Sequence, residues 1–290
     1  MWGPAREKDR RPEALRLAEL FAAAVDRLAD PRPAIQVGAL HTLELLGAEA
    51  PGQQAAIVDV ICAYLRAPAT TCDASVRRVA VGILASRLRP AGPGFWPGMT
   101  LDLRGAELAD LDLSDCRIEG DLLLDQARLT GQARLRHCTV VGRLSLAGAT
   151  CSDHAWLERS TFAATTFDGV TFGGDAWFGE ATFGGPASFA GATFAGHAWF
   201  GGCTFRGRVS FDHAVFRRSA GFRGITTQGP VSLTGTTFLG PARVSRRGTM
   251  WSLTAPGWRV QVDPDNESVG QLAWAGAADV ADVNEFTPLS

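Results

Sequence analysis

From Leu103 to Val244 an apolar residue recurs at every fifth or sixth position, and this period constrains the fold more than any other property of the chain. The rungs are Leu103, Leu108, Leu113, Ile118, Leu124, Leu129, Leu135, Val140, Leu146, Cys151 and Leu157, then Phe at every rung from Phe162 to Phe222, then Thr227, Leu233, Phe238 and Val244. Only Thr227 is polar. An amphipathic helix repeats its apolar residues at three and four and a half-buried strand at two, so neither element alone produces five and six. The chain must turn a corner in each unit. The residue two before each rung is small or aliphatic, as at Ala176, Ala181, Ala187 and Ala192, so each unit turns two side chains inward. Gly is frequent two places after the rung, from Gly174 and Gly185 through Gly196 and Gly202 to Gly240, where it suits a tight corner. Short extended segments joined in this way wind into a coil, and stacked turns share one continuous core.

Strand alternation places the residue just before each rung on the outside. That series reads Trp156, Thr161, Thr166, Thr171, Trp177, Thr182, Ser188, Thr193, Trp199, Thr204, so Trp occupies every fourth unit and the coil is expected to have four sides. The Trp-to-Trp separations of 21 and 22 residues set the length of a turn, and 27 rungs make nearly seven turns. At about 4.8 Å per turn the rod is on the order of 30 Å long. Trp156, Trp177 and Trp199 then stack on one face, with Arg134 and Arg243 beyond the two ends of the strip and Gly221 between the strip and Arg243.

Units such as Ala106-Glu107-Leu108-Ala109-Asp110 and Ala192-Thr193-Phe194-Ala195-Gly196 resemble the consensus of the pentapeptide repeat protein family, a small residue, a polar residue, Leu or Phe and two variable residues. The resemblance covers about half of the chain. It implies a right-handed quadrilateral β-helix, here a Phe-rich variant in which units of five alternate with units of six. Together with the segment that precedes it, the array makes this an α+β multidomain chain, a β-solenoid after a small α-helical domain.

Upstream the period changes to that of helices. Leu17, Leu20, Phe21, Ala24, Val25 and Leu28 make one apolar stripe, which Asp30-Pro31 halts. A second helix is expected over Ala34 to Leu46 with Gly47 as its stop, a third from near Pro51 to before Pro68, and a fourth capped by Asp73. These hairpins resemble HEAT-type packing. The stretch Ile57 to Arg66 is similar to the helical domain preceding the repeats in some two-part bacterial pentapeptide proteins. The expected order is an N-terminal tail over 1–11, the helical domain over 12–90, a linker over 91–100 in which Trp96 plugs the first turn, the β-helix over 101–245, a C-terminal cap of hairpins over 246–274 and a flexible tail over 275–290.

Function is less legible. The net charge of −2 lacks the basic excess of a nucleic-acid binder, so no direct nucleic-acid binding is expected. No run approaches the roughly 20 apolar residues of a membrane helix, and the charged stretch Met1 to Arg16 does not read as a signal peptide, so a cytoplasmic location is expected. Cys116, Cys138, Cys151 and Cys203 fall on inward positions and read as core thiols. One Lys, at position 8, excludes a Walker loop within the array, and HExxH, GxSxG and dinucleotide fingerprints are absent from the sequence. Ser152-Asp153-His154 are triad residue types crowded on one corner, and His154 and His197 flank Asp175 one turn apart without a fourth ligand. No catalytic residue, cofactor or metal ligand is therefore expected.

These features point to a non-catalytic interaction module that presents flat faces to a protein partner or to a second copy of the chain. The candidate face is Trp156, Trp177, Trp199, Arg134 and Arg243. The family resemblance implies an alternative, imitation of DNA toward DNA gyrase or another topoisomerase. Residues 101–245 carry 14 acids against 13 Arg, which argues against mimicry along the whole rod. Its acidic patch is confined to the first turn, at Asp112, Asp115, Glu119, Asp121 and Asp125.

Overall fold

The computed structural model describes residues 5–68, 73–92, 94–239, 242–245, 258–263 and 266–274. Four helices come first, α1 (Ala5–Leu28), α2 (Pro33–Glu49), α3 (Gln54–Arg66) and α4 (Ala74–Leu88), with a single 3₁₀ turn at Pro51–Gln53 before α3. Helix α1 opens at Ala5, upstream of the boundary expected at residue 12, in a run that contains the strong helix formers Arg6, Glu7 and Lys8. Asp73 caps α4 by accepting a hydrogen bond from the Ser75 backbone N–H at 2.7 Å. Gln36 is buried and ties three helices, donating to the Leu28 carbonyl and accepting from the Tyr64 hydroxyl, each at 3.1 Å.

Helix α2 does not stop at Gly47. It runs to Glu49, and Gly47 lies buried within it because the Trp96 indole rests on its backbone. A Cβ at position 47 would come within 2.5 Å of that ring, so the glycine is there for close approach. Trp96 is 1% exposed, and its backbone N–H donates to the Arg87 carbonyl at 2.8 Å.

Helices α3 and α4 contact the first strands of the coil. Arg77 makes this junction. It is buried, and its guanidinium donates to the carbonyls of Leu65, Ala67 and Glu107, so a charge inside the protein is met by three oxygens. Arg66 pairs with Asp102 at 3.1 Å, Arg89 donates to the Ser114 carbonyl at 3.0 Å, and the Cys116 thiol to the Ala85 carbonyl at 3.5 Å.

From Leu101 onward the chain is a parallel β-solenoid of about six turns, built from four sheets. The first face begins with Leu101–Asp102, the second with Glu107–Ala109, the third with Ala133–Arg134 and the fourth with Arg117–Ile118. Each strand pairs with the strand one turn away, as Thr193–Phe194 pairs with Thr171–Phe172 and Val215–Phe216. Every rung from Leu103 to Leu233 is buried except Thr227, which is half-buried, and the Phe columns stack face to face with centroids 4.6 to 5.2 Å apart, save the first pair of one column, Phe162 and Phe183, which is tilted at 5.8 Å. Corners are of two kinds. Gly202 has φ of 72° and serves a left-handed turn, whereas Gly196 has ordinary φ and is needed because a Cβ would lie 2.4 Å from the Gly174 backbone of the turn before.

At the far end Ala242–Ser245 continues the third sheet, and a hairpin of Trp258–Asp263 and Asn266–Trp274 adds to it in antiparallel fashion. The segment expected as a flexible tail, 275–290, and the link 246–257 lie outside the described residues. Among the described residues no helix is long and apolar enough to cross a membrane.

Candidate interaction face

On the third face Ala155, Ala176 and Ala198 point into the core, and alternation therefore turns Trp156, Trp177 and Trp199 outward in register. Strand spacing makes each indole the neighbour of the next. Trp156 and Trp177 stack with centroids 5.4 Å apart and planes 6° from parallel, and Trp177 and Trp199 follow at 5.7 Å and 23°. Each such pair contributes about 0.5 to 1.5 kcal/mol beyond area burial.

Both ends of the stack are built. Upstream, the Arg136 guanidinium lies 4.0 Å from the Trp156 ring centroid, held there by Glu158 at 2.8 Å. Downstream, the next register position is Gly221, and a Cβ there would lie 2.6 Å from the Trp199 ring. The indole faces are thus used within the stack, and edges are what the half-buried side chains present. The Nε1 atoms of Trp156 and Trp177 are covered and make no hydrogen bond, so the exposed edges offer carbon rather than a donor.

Arg134 takes the register position before Trp156, as the sequence suggests, and Arg243 the position after Gly221. The residue that sequence reasoning missed is Arg136. Its parity, two past Arg134 on an extended segment, carried the signal.

The acidic residues of the first turn run around the coil and are held by neighbours. Asp115 lies 3.3 Å from His137, and the Asp121 carboxylate meets the Arg143 backbone N–H at 2.7 Å and guanidinium at 3.4 Å. Asp125 accepts from Ser145 and from the Ala147 N–H at 3.0 Å. Asp112 accepts from the Ser114 N–H at 2.9 Å; burial pushes its carboxyl up, and that hydrogen bond with the Ser114 hydroxyl and two nearby Arg outweighs it, leaving the group below the usual range. The Arg117 guanidinium, followed by the Gly98 N–H, lowers the Glu119 carboxyl.

The histidines are engaged likewise. The Asp175 backbone N–H donates to His154 Nδ1 at 3.0 Å, Asp175 Oδ1 accepts from the His197 backbone N–H at 2.8 Å, and His197 Nδ1 hydrogen-bonds with Ser219 Oγ. His154 Nε2 lies 3.6 Å from Asp153. Among the described residues no group of three or more His, Cys, Asp and Glu side chains is placed to hold a metal ion. Burial pushes the Cys116 and Cys151 thiols up to about 12, which suits inert core residues rather than nucleophiles.

The first face carries a hydroxyl row in which Ser145, Ser188 and Ser232 are hydrogen-bonded from within. Asp168 and Asp212 accept from Ser188 and Ser232 and from backbone N–H groups of the next turn. The third face alone presents a continuous aromatic edge among the described residues.

Residues 167–215 match the family model for pentapeptide repeats in nine copies, so this stretch of the solenoid is a pentapeptide-repeat array. No curated protein and no solved structure matches the chain.

Proposed function

We propose that this pentapeptide-repeat solenoid is a non-catalytic interaction module whose third face, with Trp156, Trp177 and Trp199 at its centre and Arg134 and Arg243 beyond its ends, contacts a protein partner. The observation that carries the reading is the capped indole stack. Its edges form an apolar strip on an outer surface whose other columns are mainly Thr, Ser and charged residues, and water covers such a strip poorly. The hydrogen bonds made within the polar rows leave this strip as the surface with most to gain from contact. Imitation of DNA is the weaker reading, because residues 101–245 carry 14 acids against 13 Arg and the acidic excess is confined to the first turn.

The test compares the chain with a Trp156→Thr/Trp177→Thr/Trp199→Thr variant in affinity capture followed by mass spectrometry. Thr serves at the matching places on the second and fourth faces, so the variant is expected to fold. Specific capture should disappear with the indoles. Capture that survives the triple change sinks this reading, and inhibition of gyrase supercoiling that vanishes on reversing Asp112, Asp115, Glu119, Asp121 and Asp125 would establish the alternative.

A further inference from the structure

The charge on the solenoid is sorted along its axis. Residues 101–125 hold eight acids and two Arg, a net of −6; residues 126–199 hold five of each, a net of 0; residues 200–239 hold one acid and five Arg, a net of +4. The five, Arg206, Arg208, Arg217, Arg218 and Arg223, are all exposed. The single carboxylate among them, Asp212, is taken up by the Ser232 hydroxyl and the Thr234 N–H. The rod therefore has an acidic end, a neutral middle and a basic end, and the neutral middle is where the indoles stand.

On the third face Asp112, Arg134, Trp156, Trp177, Trp199, Gly221 and Arg243 take successive register positions, and the sheet continues into the hairpin at Gln271 and Gln261. Trp177 is the fourth. We propose that this face is the interface of a homodimer in which two copies lie antiparallel, related by a two-fold axis through Trp177. The inference rests on the interaction reading of the third face and names its partner as a second copy of the chain.

Three features favour that occupant. A two-fold axis at Trp177 sets Trp177 against its own copy and Trp156 against Trp199, so the apolar strip covers itself over its full length. The same operation sets the acidic end of the rod opposite the basic end, whereas a parallel pair would oppose −6 with −6 and +4 with +4. It also sets Arg134 opposite Gly221, the end of the stack where, among the described residues, no guanidinium plays the part of Arg136. The area is small. A face roughly 30 Å by 15 Å buries on the order of 900 Å² in total, below the range of stable interfaces, so the dimer is expected to be weak and concentration-dependent.

The array supplies well-matched variants for a test. Arg already occupies the position of Asp112 at Arg134 and the position of Asp115 at Arg159, while Asp153 and Glu158 stand where Arg218 and Arg223 stand three turns on. One variant is Asp112→Arg/Asp115→Arg, and the other is Arg218→Asp/Arg223→Glu. Sedimentation velocity on the full chain from about 1 to about 300 µM should show a monomer–dimer equilibrium that salt weakens. Trp177→Arg, which sets two like charges against each other at the axis, should weaken it at least about tenfold. Each charge variant alone should dimerise more weakly than the wild-type chain, and an equimolar mixture, which sets one unaltered acidic end against one unaltered basic end, should dimerise better than either. Circular dichroism melts confirm that each variant is folded. A wild-type chain that stays monomeric throughout, or a mixture no better than its components, overturns the dimer. Either result leaves the wider reading to its own test, since capture of another protein by the indole face is measured separately.

Discussion

Phe194→Ala is the most direct probe of the coil. Phe194 is fully buried, stacked between Phe172 at 5.1 Å and Phe216 at 4.6 Å, with the edge of Phe200 at 5.9 Å. Truncation removes a ring from the middle of a column. The backbone on either side is pinned, Thr193 N–H to the Val170 carbonyl and Ala195 N–H to the Phe172 carbonyl, each at 2.8 Å, so the turns cannot close the gap. Phe→Ala in a core costs about 3 to 5 kcal/mol, and a site that cannot collapse belongs near the upper end. Thr193, one residue earlier, points outward between Thr171 and Val215, and Thr193→Ala should cost less than about 1 kcal/mol. Phe194→Leu should fall between, because Leu108 and Leu129 fill the same column upstream. Urea denaturation of the full chain, followed by far-ultraviolet circular dichroism, measures all three. Equal losses for Phe194→Ala and Thr193→Ala would refute the assignment of inner and outer positions, and a larger loss for Thr193→Ala would invert it.

Two further predictions follow from the helical end. Gly47→Ala in a helix interior ordinarily stabilises by about 1 kcal/mol, but here the new methyl meets Trp96 at 2.5 Å, so the change should destabilise by about 1 to 3 kcal/mol. The loss should shrink in a Trp96→Ala background, and an additive cycle would show that the two residues do not touch. Asp102 is held at about 2 against an ordinary 3.8, first by its hydrogen bonds to Arg104 and also by Arg66. Its folded value is depressed, so its contribution is present above about pH 4 and is lost as pH falls through about 2; at neutral pH, discounted for a partly exposed pair, it is worth about 1 kcal/mol. The stability gap between the chain and Asp102→Asn, followed by urea denaturation from pH 7 to pH 2, should narrow across that window, and a gap constant with pH would rule the pairing out.

The array was legible because its physics is local and repeated. A period of five and six excludes helix and plain strand, and parity around each rung separates inside from outside, so the Trp register could be read before any coordinate. The helical end was only partly legible. Gly47 reads as a stop by propensity, and the ring that keeps it inside α2 comes from Trp96, 49 residues later. Arg77 reads as one more charge on a helix, yet it is buried, because the carbonyls it serves belong partly to the first turn of the coil. Such contacts have no signature in spacing. The candidate face lies between these cases: its column was visible, but its cap at Arg136 required knowing which ring a guanidinium would reach.

How the Trp column ends bears on what it is for. In a parallel coil every outward side chain has the next turn's residue as its neighbour, so a column can stabilise itself merely by repeating, as the Thr columns of the second and fourth faces do. Stabilisation alone would let indoles continue to either end of the sheet. Here they stop after three, against Gly221 on one side and Arg134 with Arg136 on the other. The stack is thus finite and centred on Trp177, and it coincides with the stretch where acids and Arg balance. Core packing cannot explain that coincidence, because the Phe columns beneath run on past Gly221 through Phe222 to Phe238. The contact surface proposed above would explain it: apolar edges in the middle would gain from leaving water, and charge of opposite sign toward the two ends would set the orientation of a partner.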